Sequence, residues 1–516
     1  MAQESESVKS KRIAKNSAYL YVGLMVRMLI NFYASRVILA SLGIDDYGVY
    51  NVVGGFVLMF GVLSNSLSSA CSRFLNYEMG NAGRDRLSKI FSLSVTIMFA
   101  IAVIVAVVCE IVGVWYIRNV LVVADSRRIA AAWVFQISLL TFCWNLITVP
   151  YNSAIIAHER MKVFTCVNIY EGVAKLIICY LVVLSPIDRL IFYAIMVCVL
   201  QMSVRLIYKS YSKHRFEECT YRFYYERSMF RQMLSYAGWT FIGQSANLLR
   251  NQGGNILINQ FFGPAVNAAK AVANQVLHAV DEFAVNFMRA VNPQITQSYA
   301  SGQYDYMVKL VYLGSRYSYY VMLLLSLPFI VRADFILDLW LEEVPAHSVL
   351  FLRLSLLLSM TGAISKPLTT AIGATGIVRN YQIAVGIICI LCLPICYFIY
   401  KCGGIAESFM VVSLVAEFGC LVTRLLVLHR NMHFNIWKYV MKVLMRLLVV
   451  TAVASVVPVI LVCCLHDSTF AACLEIAVSV LSVISAIVLV GLDSDERIML
   501  RSVAVRAVHG LLNRKK

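Results

Sequence analysis

Apolar residues fall along this chain in blocks about twenty residues long, the length of a helix that crosses a bilayer. No other feature limits the fold so strongly. Hydrocarbon offers no water to the backbone, so a spanning segment must satisfy its own N–H and C=O groups. A helix does so within one segment. A membrane β-barrel would show alternating apolar and polar residues, and these blocks do not. Composition agrees: of 516 residues, 60% are hydrophobic and 14% charged, with a mean hydropathy of +0.75. Soluble domains are nearer half apolar and a quarter charged. The chain is expected to be an all-α, polytopic membrane protein.

About fourteen segments qualify as spans. Six lie near 17–42, 47–72, 89–114, 129–156, 163–184 and 187–208. Six more lie near 232–262, 264–291, 309–331, 348–375, 380–400 and 404–428, and a last pair near 440–465 and 470–492. The polar start, Met1 to Lys15, leads into the first span without a small-residue cleavage pattern, so it reads as a retained helix rather than a signal peptide.

The net charge of +17 is spread unevenly over the connections. One side holds Lys9, Lys11, Arg12, Lys15, Arg73, Arg84, Arg86, Lys89, Arg160 and Lys162. It also holds the bases of the connection Lys209 to Arg231, those from Arg430 to Arg446, and the basic tail. The other side holds Asp45, Asp46, Asp334, Asp338, Glu342, Glu343 and Asp467. The positive-inside rule then places both termini in the cytoplasm. Arg118, Arg127 and Arg128 run against it in one outer loop.

The first two spans match the seventh and eighth at a constant offset. Gly23 pairs with Gly243, Asn31 with Asn251, Gly43 with Gly263, Val52 with Val272, Asp85 with Asp305 and Lys89 with Lys309. The copies are separated by an even number of spans, so they share topology and form a parallel repeat. Two six-helix bundles follow, 1–208 and 232–428, joined by a cytoplasmic linker at 209–231. An accessory helix pair occupies 429–492 and a basic tail 493–516. Repeats of this kind place substrate between bundles that rock against each other.

The eighth span carries a polar stripe, Asn267, Lys270, Asn274, His278 and Asp281, at a spacing that shares one helix face. The seventh adds Thr240, Gln244, Asn247, Arg250 and Asn251. The first adds Arg27 and Asn31 on one face, with Arg36 on the opposite face nearer the outer end, where snorkelling to the interface is the other reading. The tenth adds Arg353 and, deeper, Lys366. Charges in hydrocarbon are costly and usually face a bundle interior or a wet cavity. The deep cations outnumber the deep acids, Glu171, Asp281, Glu282 and Glu417, so the cavity should favour an anion. Arginine suits phosphate because its fork bonds two oxygens at once. Asn, Gln, Ser and Thr suit sugar hydroxyls.

The candidate substrate contacts are therefore Arg27, Asn31, Arg36, Asn247, Arg250, Asn251, Lys270, Asn274 and Lys366. Two readings stay open for the stripe: a path for a polar substrate, or an internal ion pair of Lys270 or His278 with Asp281. His278 and Asp281 are the candidates for ion coupling, since His titrates near neutrality. A buried His that only hydrogen-bonds is the other reading.

Other chemistry is poorly supported. Cys389, Cys392 and Cys396 share a helix face, but among Ile and Leu they read as packing residues, not metal ligands. The aromatic and basic connection at 209–231 suits lipid headgroups better than nucleic acid. No phosphate-loop motif, catalytic residues or cofactor site is expected.

The segments RVILASLGIDDYGVYNVVGGF (Arg36 to Phe56) and SRFLNYEMGNAGRDRLSKIFS (Ser72 to Ser92) resemble Wzx-type flippases. These lipid-linked oligosaccharide flippases belong to the multidrug/oligosaccharidyl-lipid/polysaccharide (MOP) exporter superfamily. The resemblance implies a V-shaped pair of bundles in the bacterial inner membrane. It implies ion-driven transfer of an undecaprenyl-diphosphate-linked glycan from the cytoplasmic to the periplasmic leaflet, for surface polysaccharide and lipopolysaccharide biosynthesis. The implied partners are that lipid-linked substrate, membrane lipid, and the polysaccharide polymerase and chain-length machinery. Related lipid II flippases hold diphosphate with arginines on the first helices of both bundles, and Arg27, Arg36, Arg250 and Lys270 occupy comparable segments. Many drug exporters of the superfamily carry an acid in the first span, whereas residues 17–42 contain none. A drug exporter of the same fold and a membrane polysaccharide polymerase or ligase are the rival expectations.

Overall fold

A computed structural model of the protein describes residues 6–43, 60–81, 84–119, 127–341, 344–464 and 468–493, with Asp46, Val49, Tyr50, Glu496 and Arg497. Residues 47–48 and 51–59 of the second expected span, with Val52, lie outside the described residues. So do Asp45, Glu342, Glu343, Asp467 and the tail beyond Arg497.

The described chain is helical, with no strand among the described residues. The first half comprises α1 (Glu6–Leu42), α2 (Gly61–Gly80), α3 (Arg84–Asn119), α4 (Arg128–Ala157), α5 (Met161–Leu181) and α6 (Arg189–Arg215). The second half comprises α7 (Arg227–Phe262), α8 (Pro264–Ala300), α9 (Tyr304–Val331), α10 (Ala333–Trp340), α11 (Ser348–Thr375), α12 (Arg379–Lys401) and α13 (Ser408–Met432). Two more follow, α14 (Ile436–Cys464) and α15 (Thr469–Gly491), each containing one π-helical turn. Each expected span coincides with a long helix in its described part.

Nine helices among the described residues are long and apolar enough to cross a membrane, α3–α6 and α11–α15. A tenth arises if α9 and α10, bent by 82°, make one broken span. Helices α1, α2, α7 and α8 do not meet that criterion, and three of them carry the expected polar faces.

The repeat recurs in local geometry. Gly43 ends α1 at φ +80° and Gly263 ends α7 at φ +85°. Both turns need the left-handed region, which glycine enters without steric cost. Asp85 and Asp305 sit in the first turns of α3 and α9, where a carboxylate favours the helix dipole. Asp188 caps α6 by accepting from the Leu190 and Ile191 amides.

Two compact units emerge, and they cut across the halves. The first contains Met1–Asn247, Asn286–Met307 and Thr370–Gly386. The second contains Leu248–Val285, Val308–Thr369 and Ile387–Lys516. In the first, α1 packs on α5, and α4 packs on α2, α3 and α6. Its core includes the buried Leu75, Phe91, Leu93, Leu146 and Ile155. Arg127 pairs with both Asp46 and Asp188. One of the three exceptions to the charge asymmetry, Arg127, thus sits among acids of its own end.

In the second unit α14 packs on α15. The buried Glu475 of α15 takes two hydrogen bonds from the buried Arg332, between α9 and α10. The Tyr320 hydroxyl donates to the Gly491 carbonyl at 2.9 Å. The helix pair outside the repeat is therefore tied to the second half by specific polar contacts.

Helices α6 and α7 extend beyond the expected spans, to Arg215 and from Arg227. Hydropathy marks the lipid edge, whereas a helix continues wherever propensity allows. The shortened connection packs on the first unit. Phe216 is buried and stacks on His158 at 3.9 Å between centroids, while Tyr221, Phe223 and Tyr225 remain exposed.

Candidate functional site

Among the described residues of the second unit, five cations are buried: Arg250, Lys270, Arg316, Arg332 and Arg424. A buried charge is tolerated when paired and hydrogen-bonded. Three follow that rule. Arg316 pairs with Asp493 and Glu496, Arg332 with Glu475, and Arg424 with Glu417.

Arg250 and Lys270 do not. Lys270, 4% exposed, donates to the Asn255 side-chain oxygen at 2.8 Å and lies 4.2 Å from the centre of the Phe409 ring. Arg250 is 6% exposed, and its Nε and Nη1 have no hydrogen-bond partner. Neither cation pairs with a carboxylate among the described residues. The packing around them is close: a Cβ at Gly254 would overlap the Phe409 ring. Such a pair of cations is suited to an anion that enters from outside the protein.

A second group surrounds Asp281. Lys366 Nζ from α11 lies 2.6 Å from Asp281 Oδ1, and Ser359 donates to the same oxygen at 3.0 Å. Asp281 therefore pairs with Lys366, from a helix distant in sequence, rather than with Lys270 or His278. Both side chains are partly open, at 25% and 32% exposure. Pro367 follows Lys366 inside α11 and removes one backbone donor from the helix.

The remaining expected residues are scattered. Asn251 and His278 are exposed, and Asn274 is half-buried, in the second unit. Asn247 is half-buried in the first unit. Arg27, in the first unit, is half-buried and is an electrostatic neighbour of Tyr208 of α6. The side chains of Asn31 and Arg36 lie outside the described residues.

Sequence reasoning missed a polar cluster in the first unit. Arg205 donates to the Asn145 side-chain oxygen at 2.7 Å, and Gln201 donates to Glu171 at 2.7 Å. Arg289 lies 5.1 Å from the Phe164 ring centre. Arg205 stands near the basic end of its apolar segment, where sequence alone suggests a headgroup contact. A Gln and an Arg four residues apart, one helical turn, were the available signal.

Sequence reasoning also missed a seam in the first unit, where helix ends of both halves meet. Arg73 of α2 donates from Nε to the Gly373 carbonyl at 3.3 Å and from Nη2 to the Ala374 carbonyl at 3.0 Å. Gln297 of α8 donates to Asn76 at 3.3 Å and to the Ala157 carbonyl at 2.9 Å. Glu159 accepts from Gln294 at 3.2 Å and pairs with Arg12 at 2.7 Å. Gly80 of α2 lies so close to α8 that a Cβ there would overlap the Gln297 carbonyl oxygen.

Comparison with known proteins bears on the family and the fold. A family model described as polysaccharide biosynthesis protein matches residues 13–299. No curated protein sequence matches the chain significantly. A mutant of the Vibrio cholerae MATE transporter VcmN is similar in structure at a TM-score of 0.68 and 14% identity, covering 83% of this chain and 98% of that one. A MOP superfamily transporter from Pyrococcus furiosus, whose description notes a binding pocket of reverse polarity, gives 0.66 and 10%, covering 83% and 99%. At such identities the likeness establishes the fold, which is that of MATE and MOP transporters.

Proposed function

This chain belongs to the polysaccharide biosynthesis protein family, and on that premise we propose that it flips a lipid-linked oligosaccharide from the cytoplasmic to the periplasmic leaflet. The diphosphate is held by Arg250 and Lys270, with Arg27 and Arg36 contributing from the first helix. The glycan passes the amides of Asn31, Asn247, Asn251 and Asn274. The protein sits in the inner membrane with both termini in the cytoplasm. Two six-helix bundles rock, and an ion gradient drives the cycle.

One observation carries this reading. Among the described residues of the second unit, three of the five buried cations have carboxylate partners, and Arg250 and Lys270 have none. An unpaired buried charge is destabilising. A diphosphate supplies the missing acceptors, in the fork geometry that arginine favours.

The seam at the base-rich ends is then a cytoplasmic gate, closed in this conformation. The Lys366–Asp281 pair is the coupling element. Binding of the coupling ion at Asp281 releases Lys366, with the exposed His278 one turn away on α8.

The test is glycan export in cells carrying Arg250→Met or Lys270→Met, at wild-type protein level in the membrane. Each is expected to fall about tenfold or more, a loss of about 1.4 kcal/mol of substrate interaction. Export at the wild-type rate in both variants would remove the diphosphate role.

A further inference from the structure

The first unit contains a cavity of about 760 Å³ beside the turn that joins α11 to α12. Three arginines line it, each from a different helix: Arg73 of α2, Arg231 of α7 and Arg379 of α12. No carboxylate is among the lining residues. Glu226, just before α7, accepts hydrogen bonds from Ser228 and Tyr224, and Glu78 of α2 is an electrostatic neighbour of Arg73. Arg73 is held in place by the Gly373 and Ala374 carbonyls, leaving its Nη1 uncommitted to either. Arg379 lies 5.3 Å from the Trp239 ring centre, and Arg379 and Arg231 are both exposed. Ser235 adds a hydroxyl to the lining.

Three guanidinium groups around one void repel one another, and an anion relieves that repulsion. Their forks match phosphate oxygens better than any other common biological anion except carboxylate. The volume lies in the range of about 300–1,000 Å³ typical of small-ligand sites. We propose that this cavity binds a phosphate-bearing anion that bridges α2 of the first half to α7 and α12 of the second. A ligand that touches both sides binds only while the seam is closed. By linkage it stabilises the closed seam in proportion to its occupancy. The site shares no residue with Arg250, Lys270 or the Lys366–Asp281 pair, so its failure would leave the proposed substrate site untouched. Only the cytoplasmic placement of this end rests on the flippase reading.

The experiment uses the full-length protein in phosphatidylcholine nanodiscs and follows tryptophan emission during titration with inorganic pyrophosphate. A parallel set of discs contains phosphatidylglycerol. Trp239→Phe supplies the background, and hydrogen exchange over residues 374–379 reports the turn. A saturable change that Trp239→Phe abolishes is expected, with slower exchange at the turn. Arg231→Gln/Arg379→Gln should weaken it about tenfold or more, as loss of charge-assisted bonds requires. Both arginines are exposed, so this variant should melt like wild type. Response to pyrophosphate in phosphatidylcholine discs identifies a soluble phosphate as the source. Response that requires phosphatidylglycerol identifies a lipid headgroup. No response in either set, or an equal response from the double variant, overturns the proposal.

Discussion

Lys366 and Asp281 show how little a visible ion pair reveals about its own role. At 25% and 32% exposure the pair is partly screened and worth no more than about 1 kcal/mol. Lys366→Ala and Asp281→Asn should therefore melt close to wild type, yet each should lower glycan export about tenfold. The exchange Asp281→Lys/Lys366→Asp separates the alternatives. A merely structural pair recovers export on exchange, whereas a proton-binding acid at 281 does not. Arg250 predicts the opposite balance. Replacing this buried, only partly hydrogen-bonded guanidinium by Met should leave thermal stability unchanged or raise it by about 1–4 kcal/mol, the range for buried ionic groups replaced by apolar ones of similar volume. A large loss of stability in Arg250→Met would mean that the cation already has its partner inside the protein. Depth within an apolar segment sufficed to single out Arg250, Lys270, Asp281 and Lys366 from sequence. Their partners Asn255, Phe409 and Ser359 were not legible, because those contacts depend on which helices meet.

At the scale of elements, helix existence was legible and helix ends were not. Hydrophobic blocks located the long helices, but α6 and α7 run past the apolar stretch into Lys-, Ser- and Arg-containing segments. Close approach was likewise invisible. Gly80→Ala should push α2 from α8, since its Cβ would collide with backbone, and overpacking of this kind costs about 1–3 kcal/mol. Faster amide exchange over residues 290–300 is expected, with lowered export. Gly238→Ala is the matched control, because a Cβ there meets nothing within 4 Å. It should be neutral or stabilising by up to about 1 kcal/mol. The contact between α15 and Arg332 makes a similar test. Arg332→Met strands the buried Glu475 and should cost about 3–5 kcal/mol, while Arg332→Met/Glu475→Met should recover most of it. Thermal unfolding of the purified variants in detergent measures both.

For the whole molecule, the repeat foretold two halves, whereas contacts divide the chain into units that mix them. The ends of α8 and α11 and the starts of α7, α9 and α12 group with the first half. That grouping follows from the seam of Arg73, Gln294 and Gln297. Sequence could not foresee it, because hydropathy does not encode which helix ends meet. Arg73 lies just past the expected end of the second span and Glu159 in a connection, where polar residues ordinarily meet water. The direct measurement is to delete the gene and determine in which leaflet the lipid-linked glycan accumulates. A flippase predicts single glycan units trapped on the cytoplasmic leaflet. Single units reaching the periplasmic leaflet unpolymerised would contradict it and point to a polymerase instead.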